Sequence, residues 1–234
     1  MLSVSNVLFD LDGTLVDPAG AITSGIRFAL TAHGLPDPGE ERVAALVGPP
    51  LQVGLRTLDG VDDSNIERII TAYRKQYAEQ GMARSRIYPG IVQLLARLRE
   101  SGMYLAVTTA KPEPIARQLL EIQQLDGAFD AIHGNAGEAG AHGSSKAHIV
   151  AAALDHARLD QDSSVVVGDR YYDLDAARDN RLRSIGVRWG FAQGDELDDA
   201  DFVVNDTAEL AALLLAPEEA AARRQVETQE GTKS

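Results

Sequence analysis

The sequence contains no cysteine among its 234 residues. A disulfide framework and thiolate metal ligands are therefore excluded, and the composition suits a reducing compartment, which predicts a cytoplasmic protein. Long apolar runs are missing as well, because stretches such as residues 211–216 are far too short to cross a bilayer. The N-terminal segment has neither a basic region nor a long apolar one, so we expect no signal peptide.

Positive charge is scarce in this chain. Lysine and arginine number 22 against 35 aspartates and glutamates, which gives a formal net charge of −13. Nucleic acids and anionic membranes are bound by basic faces, so we expect neither a nucleic acid polymer nor a membrane as a partner. If an acidic chain of this kind binds an anionic small molecule, it needs cations close to the binding site.

Short apolar runs that are typical of buried strands alternate with segments of helical period. Ile91, Leu94, Leu95 and Leu98 mark one face of such a helix, and Pro89 suits its first turn. This alternation predicts an α/β fold, a Rossmann-like doubly wound parallel sheet with helices on both faces. The strands are predicted at residues 4–9, 103–109, 129–133, 164–167, 184–188 and 201–204.

One region interrupts the alternation between strands and helices. Residues 18–86 show no convincing strand, and helical stretches are predicted at 22–32, 40–47, 51–58 and 66–79. Residues 134–145 are rich in Gly, Ala and Ser and predict a loop. The predicted organisation is an α/β core at residues 1–16 and 87–217, an inserted all-helical cap at 17–86, and a disordered tail at 218–234.

The strongest chemical signal is the string Asp10-Leu11-Asp12-Gly13-Thr14, placed directly after an apolar strand. Two carboxylates at i and i+2 on extended backbone point the same way, so Asp10 and Asp12 emerge side by side. Gly13 allows a tight turn, which Thr14 can fix by bonding locally. In an open parallel sheet, ligands bind in the crevice at the carboxyl ends of the strands.

A second acidic pair, Asp169 and Asp173, follows the apolar strand that ends before Gly168. The two carboxylates lie one helical turn apart and can converge on one point. Alone, this string is equally typical of a helix N-terminus with acidic residues facing the dipole. Four carboxylates gathered at one sheet edge repel one another unless a cation lies among them, and hard oxygen ligands suit Mg²⁺.

Two further segments could bind a phosphate group. The strand at 103–109 ends in Thr108 and Thr109, either of which could donate a hydrogen bond to a phosphoryl oxygen, although a strand end rich in β-branched residues explains them equally well. Lys146 opens a predicted helix, where the helix dipole disfavours a cation, which indicates an anionic partner nearby.

Together these motifs resemble the haloacid dehalogenase superfamily, specifically its phosphatases with a small helical cap inserted after the first motif. The resemblance extends to about residue 217 and implies an enzyme that hydrolyses phosphate monoesters. It implies that Asp10 is the nucleophile and Asp12 the general acid and base, while Thr109, or its neighbour Thr108, and Lys146 bind the phosphoryl group. It further implies a Mg²⁺ ion held by Asp10, the backbone carbonyl of Asp12, Asp169 and Asp173.

Three segments together look like those of a subgroup of phosphoglycolate phosphatases, 5′-nucleotidases and tyrosine-phosphatase-like hydrolases: Gly48-Pro49-Pro50-Leu51, Thr109-Ala110-Lys111-Pro112 and Gly168-Asp169-Arg170-Tyr171-Tyr172-Asp173. A simple helix break would also explain the Gly-Pro-Pro string. This resemblance implies a small phosphorylated metabolite as the substrate, either phosphoglycolate or a nucleoside monophosphate. Two alternatives remain open, a phosphosugar mutase similar to β-phosphoglucomutase and a non-catalytic binding module. A dehalogenase is disfavoured, since the dehalogenases of this superfamily lack a carboxylate at the position of Asp12.

Overall fold

A six-stranded parallel sheet forms the centre of the structure, a computed structural model that describes residues 4–18, 20–135 and 146–215. Its strand order is β5-β4-β1-β6-β7-β8. The strands are β1 (Asn6–Phe9), β4 (Tyr104–Pro112), β5 (Ala131–Asn135), β6 (Ser164–Gly168), β7 (Arg183–Val187) and β8 (Phe202–Val204). Each predicted strand is therefore present, with its ends shifted by a few residues.

Helices cover both faces of the sheet, which confirms the predicted doubly wound α/β fold. Because side chains alternate along a strand, Leu8 of β1 packs toward one face, and Val7 and Phe9 pack toward the other. The helices that follow the sheet strands are α5 (Ile91–Glu100), α6 (Glu113–Ile122), α7 (Ala147–Ala157), α8 (Tyr171–Asp179) and α9 (residues 207–215). Apolar residues of α7 and α8 meet Leu8, whereas those of α5 and α9 belong to the core around Val7 and Phe9.

The segment between β1 and α5 is mainly helical, and the described residues of 18–85 contain no strand. Its helices are α1 (Ala21–Ala32), α2 (Glu40–Ala44), α3 (Leu51–Leu55) and α4 (Ile66–Gln76), and α4 continues as a π-helical turn over Tyr77–Gly81. Helix α2 is shorter than predicted, and the chain turns at Gly48, where φ is +114°. We call residues 47–50 the Gly48 loop.

A short antiparallel pair of strands, absent from the prediction, joins the helical segment to the rest of the chain. In it β2 (Val16–Asp17) pairs with β3 (Arg86–Ile87), so the chain enters and leaves the helical segment at adjacent positions. None of the described helices is long and apolar enough to span a membrane. The predicted loop from residue 136 onward and the tail at 218–234 lie outside the described residues, whereas Gly134 and Asn135 belong to β5.

Candidate active site

The predicted site residues converge because they follow neighbouring strands. Strand β1 lies between β4 and β6, and Phe9 is in register with Val107 on one side and Val167 on the other. The carboxyl ends of these three parallel strands therefore meet at one edge of the sheet. Asp10 follows β1 and Asp169 follows β6, while Thr109 lies in the last part of β4.

Three carboxylates form an acidic cluster at this edge. One oxygen each from Asp10, Asp169 and Asp173 lies within 4.8 Å of the other two, and all three residues are buried. Asp169 is fixed on both sides, since Thr14 Oγ1 donates to its Oδ1 at 3.1 Å and the backbone N–H of Phe191 donates to its Oδ2 at 2.7 Å. The sequence suggested a local role for Thr14, and that expectation was wrong.

Lys146 lies against the acidic cluster and neutralises part of it. Its Nζ is 2.6 Å from Asp10 Oδ1 and 2.5 Å from Asp173 Oδ1, and the side chain is almost fully buried. Burial alone would lower the pKa of Lys146, but the charges of Asp10 and Asp173 outweigh burial and raise it above its ordinary value. The ammonium group therefore stays charged beside Asp10.

Asp12 does not join the acidic cluster through its side chain. Its Oδ2 lies 2.8 Å from Nζ of Lys111, whose side chain is 7% exposed. Lys111 also donates to the hydroxyl of Tyr77 at 3.2 Å and lies 4.4 Å from the centroid of the Tyr77 ring. Burial raises the pKa of the Asp12 carboxyl, and Lys111 opposes this shift without cancelling it.

The two threonines at the end of β4 occupy different environments. Thr109 lines the cavity at the sheet edge, and its Oγ1 accepts a hydrogen bond from the backbone N–H of Lys111 at 3.2 Å. Thr108 Oγ1 is buried and, among the described residues, has no hydrogen-bond partner. Thr109, the residue that the resemblance favoured for binding phosphate, therefore lies at the cavity, and Thr108 does not line it.

The charges at the site do not balance. Asp10, Asp12, Asp169 and Asp173 carry four potential negative charges, and Lys111 and Lys146 supply two positive ones. Burial, together with the charges of Asp10 and Asp173, raises the pKa of Asp169 well above its ordinary value. A divalent cation bound by carboxylate oxygens would remove this excess, and these donors suit Mg²⁺.

A cavity of about 180 Å³ opens from these residues toward the helical segment. Its floor contains Asp10, Asp12, Thr109 and Lys111, and its opposite wall is formed by the Gly48 loop and by α4. The residues of this wall are mostly apolar or aromatic, with an exposed arginine at the outer rim. They include Leu46, Pro49, Pro50, Ile70, Tyr73, Arg74 and Tyr77.

Sequence reasoning missed Lys111 as a site residue. A lysine two positions after a strand-end threonine was the available signal, but alternation along an extended strand does not predict where its side chain points. The register of β4 against β5 shifts between Thr108 and Pro112, and this irregularity turns Lys111 toward Asp12. Arg170, inside the Gly168–Asp173 motif, was also left without a role.

Fold and site together define a doubly wound α/β protein in which paired carboxylates and lysines gather at the carboxyl edge of a parallel sheet, where such folds bind their ligands. The model of the haloacid dehalogenase-like hydrolase family matches residues 7–187. The chain therefore belongs to the haloacid dehalogenase-like hydrolase family.

Similar proteins are found among curated sequences and solved structures. A 5′-nucleotidase of Pseudomonas aeruginosa is 35% identical over 212 residues, covering 91% of this chain and 95% of that protein. Tyrosine-protein kinase PtkA of Mycobacterium tuberculosis is 40% identical over 192 residues, which is 82% of this chain, but the match spans only 65% of PtkA. The crystal structure of a predicted phosphatase from Clostridium acetobutylicum has a TM-score of 0.82 at 34% identity, covering 90% of this chain and 97% of that one.

Proposed function

We propose that the chain is a Mg²⁺-dependent phosphomonoester hydrolase that forms an aspartyl-phosphate on Asp10. The observation that carries the proposal is the position of Asp10 on the cavity floor, in contact with Lys146 and within the acidic cluster. An anionic nucleophile can approach an anionic ester only where cations neutralise both. Mg²⁺, held by Asp10, Asp169, Asp173 and the carbonyl of Asp12, would supply two positive charges and polarise the phosphoryl oxygens.

The proposed reaction has two steps. In the first, a carboxylate oxygen of Asp10 attacks phosphorus in line, the bond to the leaving oxygen breaks, and Asp12 donates a proton to the leaving alkoxide. In the second, water attacks the aspartyl-phosphate, Asp12 accepts the proton of that water, and free phosphate and Asp10 are released. Thr109 and Lys146 bind the phosphoryl oxygens in both steps. Burial raises the pKa of Asp12, which favours the protonated form that the first step needs, whereas the ion pair with Lys111 favours the charged form that the second step needs.

The proposed substrates are small phosphorylated metabolites, phosphoglycolate or a nucleoside monophosphate. The apolar and aromatic wall of the cavity suits a nucleoside, and the name of the Pseudomonas aeruginosa relative points the same way. Arg74 at the rim would suit the carboxylate of phosphoglycolate. We also propose that residues 17–86 act as a cap over the site and that the enzyme is cytoplasmic.

Phosphate release from a panel of phosphomonoesters, with and without Mg²⁺, tests the proposal. The panel comprises phosphoglycolate, nucleoside 5′-monophosphates, sugar phosphates and phosphotyrosine, the last because of the similarity to PtkA. We expect Mg²⁺-dependent release. Dependence on a bisphosphate activator with little free phosphate would instead indicate a mutase, and the absence of any turnover by folded protein would indicate a binding module.

The substitution Asp10→Asn tests the nucleophile. We expect turnover to fall to the background rate while the protein still folds, because an amide keeps the shape of the side chain but cannot form the acyl phosphate. Asp175→Asn is the matched control, since Asp175 lies on α8, is 43% exposed and pairs with Arg178. Full activity of the Asp10 variant would exclude the proposed mechanism.

A further inference from the structure

Arg170 occupies an unusual position for a residue with no assigned role. It follows Asp169 and precedes α8, and its backbone N–H donates to Asp173 Oδ2 at 3.2 Å. It is therefore tied through the backbone to two of the carboxylates in the acidic cluster. Its own side chain is almost fully buried, with the residue 4% exposed, so its guanidinium group requires partners within the protein.

The guanidinium group of Arg170 joins two distant parts of the chain. Nε and Nη2 donate to the two carboxylate oxygens of Glu196, at 2.7 and 3.0 Å, in the segment between β7 and β8. Nη1 donates to the backbone carbonyl of Val47, the first residue of the Gly48 loop. One side chain thus links the motif that carries Asp169 to the loop that follows α2.

The Gly48 loop also packs directly on Arg170. A Cβ atom at Gly48 would lie 3.2 Å from Cγ of Arg170 and 3.3 Å from its Nη1, and this tight contact, together with a φ of +114°, favours glycine there. The rest of the loop, Pro49 and Pro50, lines the cavity together with Gly48. Since prolines restrict the backbone, the bond at Val47 sets the position of a stiff cavity wall.

We propose that Arg170 is a positioning residue for substrate selection. It holds the Gly48 loop at the distance from Asp10 that lets the loop contact the leaving group of the ester. The inference rests on the proposed phosphatase function and adds to it a residue that governs the choice of leaving group. Arg170 acts through the loop, not on the phosphoryl group, so its loss affects esters with large leaving groups more than esters with small ones.

The planar guanidinium is necessary for this arrangement. Two parallel bonds to Glu196 leave the third donor aimed at the Val47 carbonyl, a geometry that an ammonium group cannot reproduce. Arg170→Lys should therefore behave like Arg170→Met, although it keeps the charge. Glu196→Ala should change the preference between the esters in the same direction as Arg170→Met, because the guanidinium loses the carboxylate that orients it.

The test measures the hydrolysis of two esters and adds one measurement that does not depend on activity. For Arg170→Met, we expect kcat/KM for p-nitrophenyl phosphate to fall about tenfold through a higher KM, as for the loss of one charged hydrogen bond. The kcat/KM for methyl phosphate, an ester whose leaving group is small, should change by less than about twofold. Hydrogen–deuterium exchange of the amides of residues 46–48 should become faster in the same variant.

The matched control is Arg42→Met. Arg42 on α2 has partners of the same two kinds as Arg170, the carboxylate of Asp59 at 3.0 Å and the backbone carbonyl of Thr57 at 3.1 Å. Its side chain, however, is 49% exposed. We expect this variant to match the wild type with both esters and in exchange. If Arg170→Met does not fold, as judged by its melting curve, Glu196→Ala carries the test.

Two results would overturn the inference: an equal fall in kcat/KM for both esters, or unchanged exchange in the Gly48 loop. If the wild type releases phosphate from no ester, the proposed function fails separately, and exchange alone then decides whether Arg170 fixes the loop.

Discussion

Lys111 and Asp12 form an ion pair of the kind that proteins rarely bury. Their side chains are 7% and 12% exposed, whereas the pair between Arg56 and Asp63 is 48% and 83% exposed. Surface ion pairs contribute little to stability, but removing one partner of a buried pair leaves an uncompensated charge. The loss of the cationic partner should therefore lower the free energy of unfolding much more for the buried pair than for the exposed pair.

Replacement of Lys111 by methionine tests this difference. We expect Lys111→Met to lower the free energy of unfolding by about 3 kcal/mol, while Arg56→Met lowers it by less than about 1 kcal/mol. The double variant Asp12→Asn/Lys111→Met should lose less than the sum of its single variants, because it leaves no lone charge behind. Urea denaturation of the set measures these values, and equal losses in the Lys111 and Arg56 variants would contradict the interpretation.

The individual site residues differ in how far the sequence could predict them. Asp10, Asp169, Asp173 and Lys146 were expected to gather, and the structure brings them together, because each follows or opens an element whose register the apolar pattern fixes. Their chemical roles remain predictions. Lys111 could not be placed in the same way, because its direction depends on the irregular end of β4.

The turn that follows β1 lies very close to the side chain of Asp169, the residue that follows β6. Gly13 has a φ of +93°, and a Cβ atom there would lie 2.2 Å from Oδ2 of Asp169. Asp169 cannot move aside freely, because Thr14 and Phe191 hold its two oxygens. The turn therefore leaves room for the Asp169 carboxylate only because residue 13 has no side chain.

Substitution of Gly13 by alanine should weaken Mg²⁺ binding in addition to lowering the free energy of unfolding. Gly34→Ala is the matched control, since Gly34 also has a positive φ, of +72°, but a Cβ atom there would meet no described atom within 4 Å. Both variants should lose about 1 kcal/mol from backbone strain, and the clash with Asp169 should add to this loss in Gly13→Ala. Calorimetric titration with Mg²⁺ should show an affinity reduced at least about tenfold for Gly13→Ala and unchanged for Gly34→Ala. Loss of a contact that orients a metal ligand typically lowers metal affinity by about this factor. Equal affinities in the two variants would argue against this role for Gly13.

The elements of the sheet were more predictable than those of the helical segment. Buried strands such as β6, all of whose residues are inaccessible, leave a continuous apolar run in the sequence. Helix α2 and the Gly48 loop leave a weaker trace, because their course depends on packing against residues such as Arg170 and on the positive φ of Gly48. The pairing of β2 with β3 involves two residues from each strand, too few to give a pattern.

The acidic cluster should link the stability of the whole fold to pH and, through the proposed Mg²⁺ site, to metal. Burial raises the pKa of Asp173 to about 6, despite the opposing effect of Lys146. Because this value lies above the ordinary one of about 3.9, the folded state binds the proton more tightly than the unfolded state. The contribution of Asp173 to the stability of the metal-free protein is therefore present at low pH and is lost as the pH rises through about 6.

Mg²⁺ should reverse this trend, since it competes with protons for the same oxygens. We expect the increase in melting temperature on adding Mg²⁺ to be small at about pH 5 and larger at about pH 7.5, where the carboxylates are ionised. At a Mg²⁺ concentration about a hundred times Kd, the stabilisation would reach about 2.7 kcal/mol. Thermal melts with Mg²⁺ and with EDTA at both pH values measure the difference. An increase of the same size at both would show that Asp173 does not bind the ion.

The central place of β1 in the sheet has a consequence for biosynthesis. Asn6 pairs with Tyr104 on one side and with Ser164 on the other, so β1 leaves the ribosome long before either neighbour exists. A nascent chain that ends before β6 carries Asp10 but lacks Asp169 and Asp173. In the proposed mechanism, hydrolysis of phosphate esters therefore becomes possible only when translation has passed α8.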